Sequence, residues 1–339
     1  MSATVDGTVN GTVNRTAAGL PAPSGAETSP ARPRPRRISR YRLWRNATRV
    51  LGKILLWVVL INFTYVFLFP LIYMMATSVK TLTEINNPSI VWISREPSLQ
   101  AFQFASSIID YFRGLWISTF VSAAAVLGQT CVGAMVGYGF ARPRFPGREF
   151  LFWVLLFTII VPLPTLAVPL YLFYSKLNLI NTFMPLILPP FLGWGVRGGM
   201  ILIVFRQFFR GLPSELEDAA YVDGASPFRV FWQIMLPLAK PAILVVMLFT
   251  LVWTWNDTLL PGLVINDTAA YTLGQRMENY AQLFTQARHA SAKTWSTSGE
   301  IGENVLMSVT LLGILPLLIV YIFTQRYFTQ SIDRTGLVE

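Results

Sequence analysis

The chain has 339 residues, of which 53% are hydrophobic and only 13% are charged, and its mean hydropathy is +0.50. Soluble domains carry about 25% charged residues, so this composition excludes an ordinary soluble protein and indicates an integral membrane protein. The net charge of +10 does not indicate nucleic-acid binding, because the 27 basic residues are not clustered on a soluble domain.

Residues 1–50 are predicted to form a disordered, basic tail. Residues 1–31 lack the apolar core of a cleavable signal peptide and carry too little apolar surface to fold. The basic run from Arg32 to Arg49 has two interpretations. It is either an anchor for anionic lipid, worth about 1 kcal/mol per basic residue near the surface, or a positive-inside signal for the helix that follows. We favour the signal.

Residues 51–330 are predicted to form an all-α polytopic domain with six transmembrane helices, since a helix needs roughly 20 apolar residues to cross a bilayer. The six apolar stretches lie near residues 52–77, 115–140, 149–173, 182–205, 241–263 and 304–325. Several prolines in the third and fourth stretches predict kinked or broken helices there. Gly133, Gly137 and Gly139 in the second stretch are predicted to allow close helix packing rather than to bind a nucleotide.

The distribution of Lys and Arg predicts the orientation in the membrane. Most of the basic residues fall in residues 1–53, 141–148 and 206–240 and after the last span. Because such residues concentrate on the cytoplasmic side, both termini, including the short tail 331–339, and the loop 208–240 are predicted to be cytoplasmic. The protein is then a multi-pass protein of the cell membrane.

The loop 208–240 carries the signals of two short helices. Ser214 and Glu217 have the spacing of a capping box, which predicts a helix that begins just after Pro213. Ala219 and Ala220 are small enough for another surface to approach this helix closely. Asp223 and Gly224 then form a typical turn pair.

A second helix is predicted to begin at Ser226, with Pro227 at its first position. Phe228, Phe231 and Trp232 are predicted to share one face of it, and Pro237 and Pro241 to end it. The alternative is an amphipathic hairpin that lies on the lipid headgroups. An acidic first helix suits an anionic leaflet poorly, so the pattern favours a docking surface for a cytoplasmic partner.

The same loop resembles the EAA loop of importer permeases driven by ATP-binding-cassette ATPases. The family pattern is matched by Asp218-Ala219-Ala220, then Gly224, then Ile234-Met-Leu236-Pro237. Asp218 stands where the family usually has Glu. Further segments resemble the second permease of maltose-type carbohydrate importers over residues 52 to 330: Tyr138-Gly-Phe-Ala-Arg-Pro-Arg-Phe-Pro-Gly147, Ile160-Val-Pro162, Pro169-Leu-Tyr171, Asn181-Thr182, Phe205-Arg-Gln-Phe-Phe209, Trp255-Asn-Asp257 and Gln325-Arg-Tyr-Phe328. Ser118 departs from the usual Asn, and the end of the chain, Thr335 to Glu339, departs as well.

The resemblance implies a permease subunit of a sugar or oligosaccharide importer. Its partners would be a second permease, a dimer of ATPase subunits, an extracytoplasmic solute-binding protein and membrane lipid. The residues implied to couple the chain to the ATPase are Glu217, Asp218, Ala219, Ala220, Asp223 and Gly224. No G-x-x-x-x-G-K-[ST] motif occurs in the chain, so no cofactor is expected on it, and ATP and Mg would be bound by the partner ATPase.

Polar residues inside the apolar stretches are candidates for the substrate path. Arg197 lies among glycines in the fourth stretch, where it either faces a water-filled passage or lies near the outer end. In the second case it snorkels or pairs with an acid such as Asp257. Asn256 and Asp257 are further candidates beside Trp253 and Trp255. For the two tryptophans, anchoring at the membrane interface is the favoured role.

Two other function classes compete with an importer permease. A stand-alone channel or secondary transporter has no use for a docking loop of this kind. A polytopic membrane enzyme needs a catalytic constellation, and the scattered acids Glu278, Glu300 and Glu303 do not form one. Cys131 and His289 are the only cysteine and histidine, which excludes an internal disulfide and a Cys/His metal site.

Overall fold

The computed structural model describes residues 40–195, 197–290 and 302–335. The chain divides into two compact units, residues 1–63 and 64–339. Most of the predicted N-terminal tail and the last residues, 336–339, lie outside the described residues. The first helix already begins at Arg40, inside the predicted tail, and the last one extends to Thr335.

The described chain is helical. Its sixteen described α-helices, in chain order, are α1 Arg40–Ser78, α2 Leu82–Ile85, α3 Gln100–Ile108, α4 Tyr111–Ala141, α5 Arg148–Ile160, α6 Ala167–Lys176, α7 Met184–Phe191, α8 Gly198–Gly211, α9 Glu215–Val222, α10 Pro227–Val230, α11 Leu236–Leu238, α12 Lys240–Asn256, α13 Leu259–Val264, α14 Leu273–Glu278, α15 Tyr280–Ala290 and α16 Glu303–Thr335. Short 3₁₀ turns occur at Leu163–Leu166 and Thr268–Ala270, and a π-helical turn at Phe231–Met235. The prediction of an all-α protein is confirmed for these residues.

Within the described ranges, three helices are long and apolar enough to cross a membrane, and they are Thr48–Ser78, Tyr111–Ala141 and Glu303–Arg326. Two bent pairs raise the number to five if each pair is one span. The pair α5 and α6, with its intervening 3₁₀ turn, bends by 92°, and the pair formed by Pro227–Leu238 and α12 bends by 74°. The predicted count of six spans is not confirmed.

Proline and glycine account for the breaks. Pro162 follows the end of α5, and it forces the preceding Val161 into extended backbone. The predicted fourth span, residues 182–205, divides into α7 and α8. Gly193 and Arg197 in the break have φ angles of +79° and +55°, which a helix cannot accommodate. The kinks expected in the third and fourth stretches are therefore present.

Helix α4 is the centre of the second unit and packs against α7, α8 and α12. Its glycines make this possible. A Cβ atom at Gly133 would lie 3.0 Å from Ile201, and one at Gly137 would collide with Phe205. A Cβ at Gly139 would meet nothing within 4 Å. The prediction of close packing is correct for Gly133 and Gly137 and wrong for Gly139.

A buried arginine fixes the beginning of α4. Arg276 of α14 is 3% exposed and donates to the carbonyl of Ile109 over 3.2 Å. Its other guanidinium nitrogens donate to the carbonyls of Thr268, Ala269 and Tyr271, and it forms an ion pair of 3.7 Å with Asp110. Several chain segments are thus held at this end of the helix.

The connection after α1 is closed by hydrogen bonds to charged side chains. Lys80 donates to the carbonyls of Ile90 and Val91. The carboxylate of Glu84 accepts from the Ser94 hydroxyl over 2.5 Å and from the backbone N–H of Arg95 over 2.7 Å. These bonds, that of Ser94 first, hold the pKa of the Glu84 carboxyl below its usual value of 4.5.

Candidate functional site

The first helix of the loop, α9, does not begin with the predicted capping box. Ser214 has helical backbone angles, and its side chain makes no capping hydrogen bond. Glu217 is buried, with 7% exposure, and its carboxylate instead forms an ion pair of 3.8 Å with Arg142. The prediction of a capping box is therefore wrong, because a partner distant in sequence takes the Glu217 side chain.

The turn after α9 is a Schellman motif. Gly224 has a φ of +78°, its N–H donates to the carbonyl of Tyr221 over 3.0 Å, and the N–H of Ala225 donates to that of Ala220 over 2.9 Å. These two bonds satisfy carbonyls that the helix end would leave unpaired. The positive φ suits glycine because any Cβ would be strained there. This agrees with the turn predicted from Asp223 and Gly224.

The second helix begins as predicted. The Ser226 hydroxyl accepts a hydrogen bond from the N–H of Arg229, and Pro227 occupies the first turn. It then passes through the π-helical turn at Phe231–Met235 into α11, which ends at Leu238, between Pro237 and Pro241 and before α12, as predicted.

The three aromatic residues of this helix do not share one environment. Phe231 is buried against Tyr138 and Phe209, with ring centroids at 5.1 and 6.4 Å. Phe228 and Trp232 are exposed and contact each other at 5.9 Å. The predicted common face is therefore split into an anchor that holds the helix to the core and a pair that faces outward.

The six coupling residues predicted from the resemblance divide in the same way. Glu217 and Ala220 point inward and are buried, whereas Asp218, Ala219, Asp223 and Gly224 are exposed. Beside them lie two exposed apolar side chains, Val222 at 87% and Phe228 at 68%. We call the exposed set Asp218, Ala219, Val222, Asp223 and Phe228 the loop surface.

Arg142, which the sequence does not single out, holds the loop surface in place. It follows the end of α4, and its Nε donates to the carbonyl of Phe209 over 2.9 Å. Its Nη2 donates to the carbonyl of Leu212, and its Nη1 faces Glu217. One guanidinium thus joins the ends of α4 and α8 to α9.

Glu217 has a second neighbour besides Arg142. The hydroxyl of Tyr138, in α4, lies beside the same carboxylate. In the sequence Arg142 contributes to the charge bias of its loop and to the resemblance over Tyr138 to Gly147, but no local signal pairs it with Glu217.

Arg206 fixes the same region from α8. It is 7% exposed, donates from Nε to the carbonyl of Phe140 over 3.3 Å, and lies 3.7 Å above the ring of Phe152. Glu149 lies 4.0 Å from its Nη2. Arg206 therefore joins α8 to the end of α4 and to α5.

A cavity of about 520 Å³ lies where the α5–α6 bend, the α7–α8 break and α12 meet. Its lining includes Arg197, Trp194 and Thr254. Arg197 is the residue before α8, and its guanidinium carbon lies 5.0 Å from the centre of the Trp253 ring. Of the three predicted substrate-path residues, Arg197 alone is among the described residues that line this cavity.

The other two candidates are engaged locally. Asp257 does not pair with Arg197, since its Oδ1 accepts from the N–H groups of Leu259 and Leu260 at 3.1 and 3.4 Å. It lines a separate cavity of about 20 Å³. Asn256 donates to the carbonyl of Val252 in its own helix. Trp255 is buried and donates to the carbonyl of Gly313, which makes it a packing residue rather than the expected interface anchor.

Comparison with known proteins gives a consistent result. The family model described as the inner membrane component of binding-protein-dependent transport systems matches residues 129–334. The polygalacturonan/rhamnogalacturonan transport system permease protein YtcP of Bacillus subtilis is 26% identical over 80% of this chain and 93% of its own length. The arabinooligosaccharides transport system permease protein AraQ of Halalkalibacterium halodurans is 29% identical over 85% and 98%.

A third relative and one solved structure extend this result. The sn-glycerol-3-phosphate transport system permease protein UgpE of Pectobacterium atrosepticum is 30% identical over 64% of this chain and 71% of its own. The crystal structure of a bacterial ABC transporter involved in the import of the acidic polysaccharide alginate contains a similar chain. The TM-score is 0.67, the identity 20%, and the match covers 83% of this chain and 98% of that one.

Proposed function

This chain belongs to the family of inner membrane components of binding-protein-dependent transport systems, and we propose that it is a permease subunit of an ATP-driven importer for sugars or oligosaccharides. It is a multi-pass membrane protein of a transport family, not of an enzyme family. The sugar class follows from the names of its relatives, which include permeases for polygalacturonan/rhamnogalacturonan and for arabinooligosaccharides.

The assembly that we propose contains a second, similar permease, two ATPase subunits that bind ATP and Mg, and an extracytoplasmic solute-binding protein. This chain would cross the cell membrane six times, with α7 and α8 together as the fourth span. Both termini and the loop surface would then face the cytoplasm, in line with the distribution of basic residues.

The observation that supports coupling most directly is the ion pair of Arg142 with Glu217. The loop surface is exposed and contains apolar side chains, as a protein-binding site requires. Beneath it, Arg142 connects α9 to the ends of α4 and α8. An ATPase subunit that binds Asp218, Ala219 and Gly224 would therefore move α4 and α8 together with α9.

The cavity that contains Arg197 is our candidate for part of the substrate path. It lies at the breaks of two apolar segments, where irregular backbone is tolerated because it lines a cavity. Asn256 and Asp257 remain weaker candidates, since their side chains already bond to neighbouring backbone groups.

The test is a pull-down of this chain after mild solubilisation of its native membrane. We expect a second permease and a P-loop ATPase to be recovered. Asp218→Lys should release the ATPase, because it reverses a charge on the loop surface. Glu278→Lys, at an exposed acid outside the loop, is the matched control and should retain it. Recovery of a functional chain without any ATPase would instead favour a stand-alone transporter.

A further inference from the structure

Among the described residues that line the cavity, Arg197 is the only one with an ionisable side chain. Within the same part of the chain no carboxylate forms an ion pair with Arg197. A charge within an apolar segment is costly and is normally paired or used for function. The cavity therefore has a net positive character that the described side chains do not neutralise.

Arg197 is exposed, so its guanidinium is accessible to a solute, and its described side-chain contact is with an aromatic ring. Trp253 offers the face of its ring at 5.0 Å, which attracts a cation but does not replace an oxygen acceptor. The guanidinium donates no hydrogen bond to a described residue. Its five N–H donors form a planar fork that matches a carboxylate or a phosphate.

The size of the cavity also suits a small solute. The volume of about 520 Å³ falls within the range of small-molecule sites, roughly 300–1,000 Å³.

The rest of the wall argues against a neutral sugar as the best ligand. Most of the lining side chains are Pro, Leu and Ile, with few neutral polar groups. Many hydroxyl groups of a neutral sugar would lose water here without gaining partners, which is unfavourable. A single oxyanion would be well satisfied by the Arg197 fork.

We propose that this cavity receives an anionic solute, an acidic sugar or a sugar phosphate, whose oxyanion pairs with Arg197. The proposal rests on the proposed function and makes it more specific. Arg197 is then a specificity-determining residue, and Trp253 holds its guanidinium beside the passage in the absence of solute.

The experiment uses the complete importer, reconstituted in liposomes with its binding protein. The probes are uronic-acid oligosaccharides, the same oligosaccharides with the carboxyl group reduced to an alcohol, and sugar phosphates. Import and solute-stimulated ATP hydrolysis are measured for each. We expect an acidic sugar or a sugar phosphate to be imported at least tenfold faster than any neutral probe, and the two acidic arms distinguish a carboxylate from a phosphate.

Variants then test the residue. Arg197→Gln should lower import of the anion at least tenfold. Arg197→Lys, which keeps the charge but lacks the fork, should recover part of the loss. Lys176→Gln, at an exposed lysine outside the cavity, should have no effect.

Three results would overturn the inference. These are a neutral probe as the best substrate, no effect of Arg197→Gln on anion import, and an equal loss of neutral and anionic import in that variant. If an assembled complex imports none of the probes, the proposed sugar import itself fails, and the inference fails with it.

Discussion

The two ends of α4 are each held by an arginine, but Arg276 is buried and Arg142 only half-buried. The helix has 31 residues, so its ends lie about 46 Å apart at 1.5 Å per residue. At its beginning, Arg276 donates to four backbone carbonyls and pairs with Asp110. After its end, Arg142 donates to two carbonyls and pairs with Glu217.

The beginning of α4 is stabilised entirely by contacts within the single chain, whereas the region after its end also presents an exposed surface. At the beginning of α4, the guanidinium N–H groups of Arg276 donate to backbone carbonyls of the same chain. Near the Arg142 end, the apolar side chains of Val222 and Phe228 are exposed. We infer that substitutions at the first end act on stability and that substitutions at the second act on coupling.

Substitution of Gly224 should have the largest effect on transport. Gly224→Leu places a side chain at a φ of +78°, which costs about 1–2 kcal/mol and disrupts the turn that orients the loop surface. We expect uptake to fall below a tenth of the wild-type value, while the chain still inserts into the membrane. Uptake by proteoliposomes and membrane yield measure the two quantities.

The control for this variant is Gly262→Leu, since a Cβ at Gly262 would meet nothing within 4 Å and its φ is not positive. Normal uptake by the Gly224 variant would remove the loop surface from the mechanism.

Substitution of Arg142 should separate ATP hydrolysis from transport. Arg142→Gln removes the link between α9 and the ends of α4 and α8, so we expect roughly tenfold less solute imported per ATP hydrolysed. The ATPase should still bind, because the loop surface is intact. Arg144→Gln, at an exposed arginine two residues away, should behave as wild type. An unchanged ratio of import to hydrolysis would show that force does not pass through Arg142.

Substitution of Arg276 should lower stability rather than coupling. Arg276→Gln leaves several buried carbonyls without a donor, which should cost roughly 2–4 kcal/mol. We expect a lower midpoint of thermal unfolding in detergent and unchanged import per folded molecule. Arg113→Gln, at an exposed position, is the control. A coupling defect in the folded fraction would contradict the division between the two ends.

The smallest effect is expected from the carboxylate of Glu84. Its pKa is lowered in the folded chain, chiefly by the Ser94 hydroxyl. The carboxylate therefore contributes stability above its unfolded pKa, near 4.5, and this contribution is lost as the pH falls through the lower folded value. The thermal midpoint of Glu84→Gln should lie below that of the wild type at pH 7, and the gap should shrink in acid. A gap that is independent of pH would exclude this role.

Local signals in the sequence were the most reliable. The cap at Ser226 and the turn at Gly224 depend on residues only a few positions apart, and both are present. The capping box of Ser214 failed because Arg142, far away in the sequence, binds Glu217. Phe231 has the same residue type as Phe228, but contact with Tyr138 and Phe209 decides that only Phe231 is buried.

The membrane segments show the same limit. Hydropathy and proline content predicted broken helices but not where each break would place its side chains. The sequence offers Arg197 and Asp257 as an ion pair. In the structure, Arg197 contacts the ring of Trp253, and Asp257 accepts a hydrogen bond at the beginning of α13. Contacts between distant elements determine both outcomes.

The break between α7 and α8 also bears on how the protein is made. The two helices have 8 and 14 residues, each shorter than the roughly 20 residues that cross a bilayer, and an arginine at a bilayer centre opposes insertion by about 2.5–3.5 kcal/mol. A translocon that examines one emerging segment at a time would insert the segment of α7 and α8 inefficiently. We expect this segment to enter the bilayer only together with a helix that is already inserted, so its insertion depends on the order of synthesis.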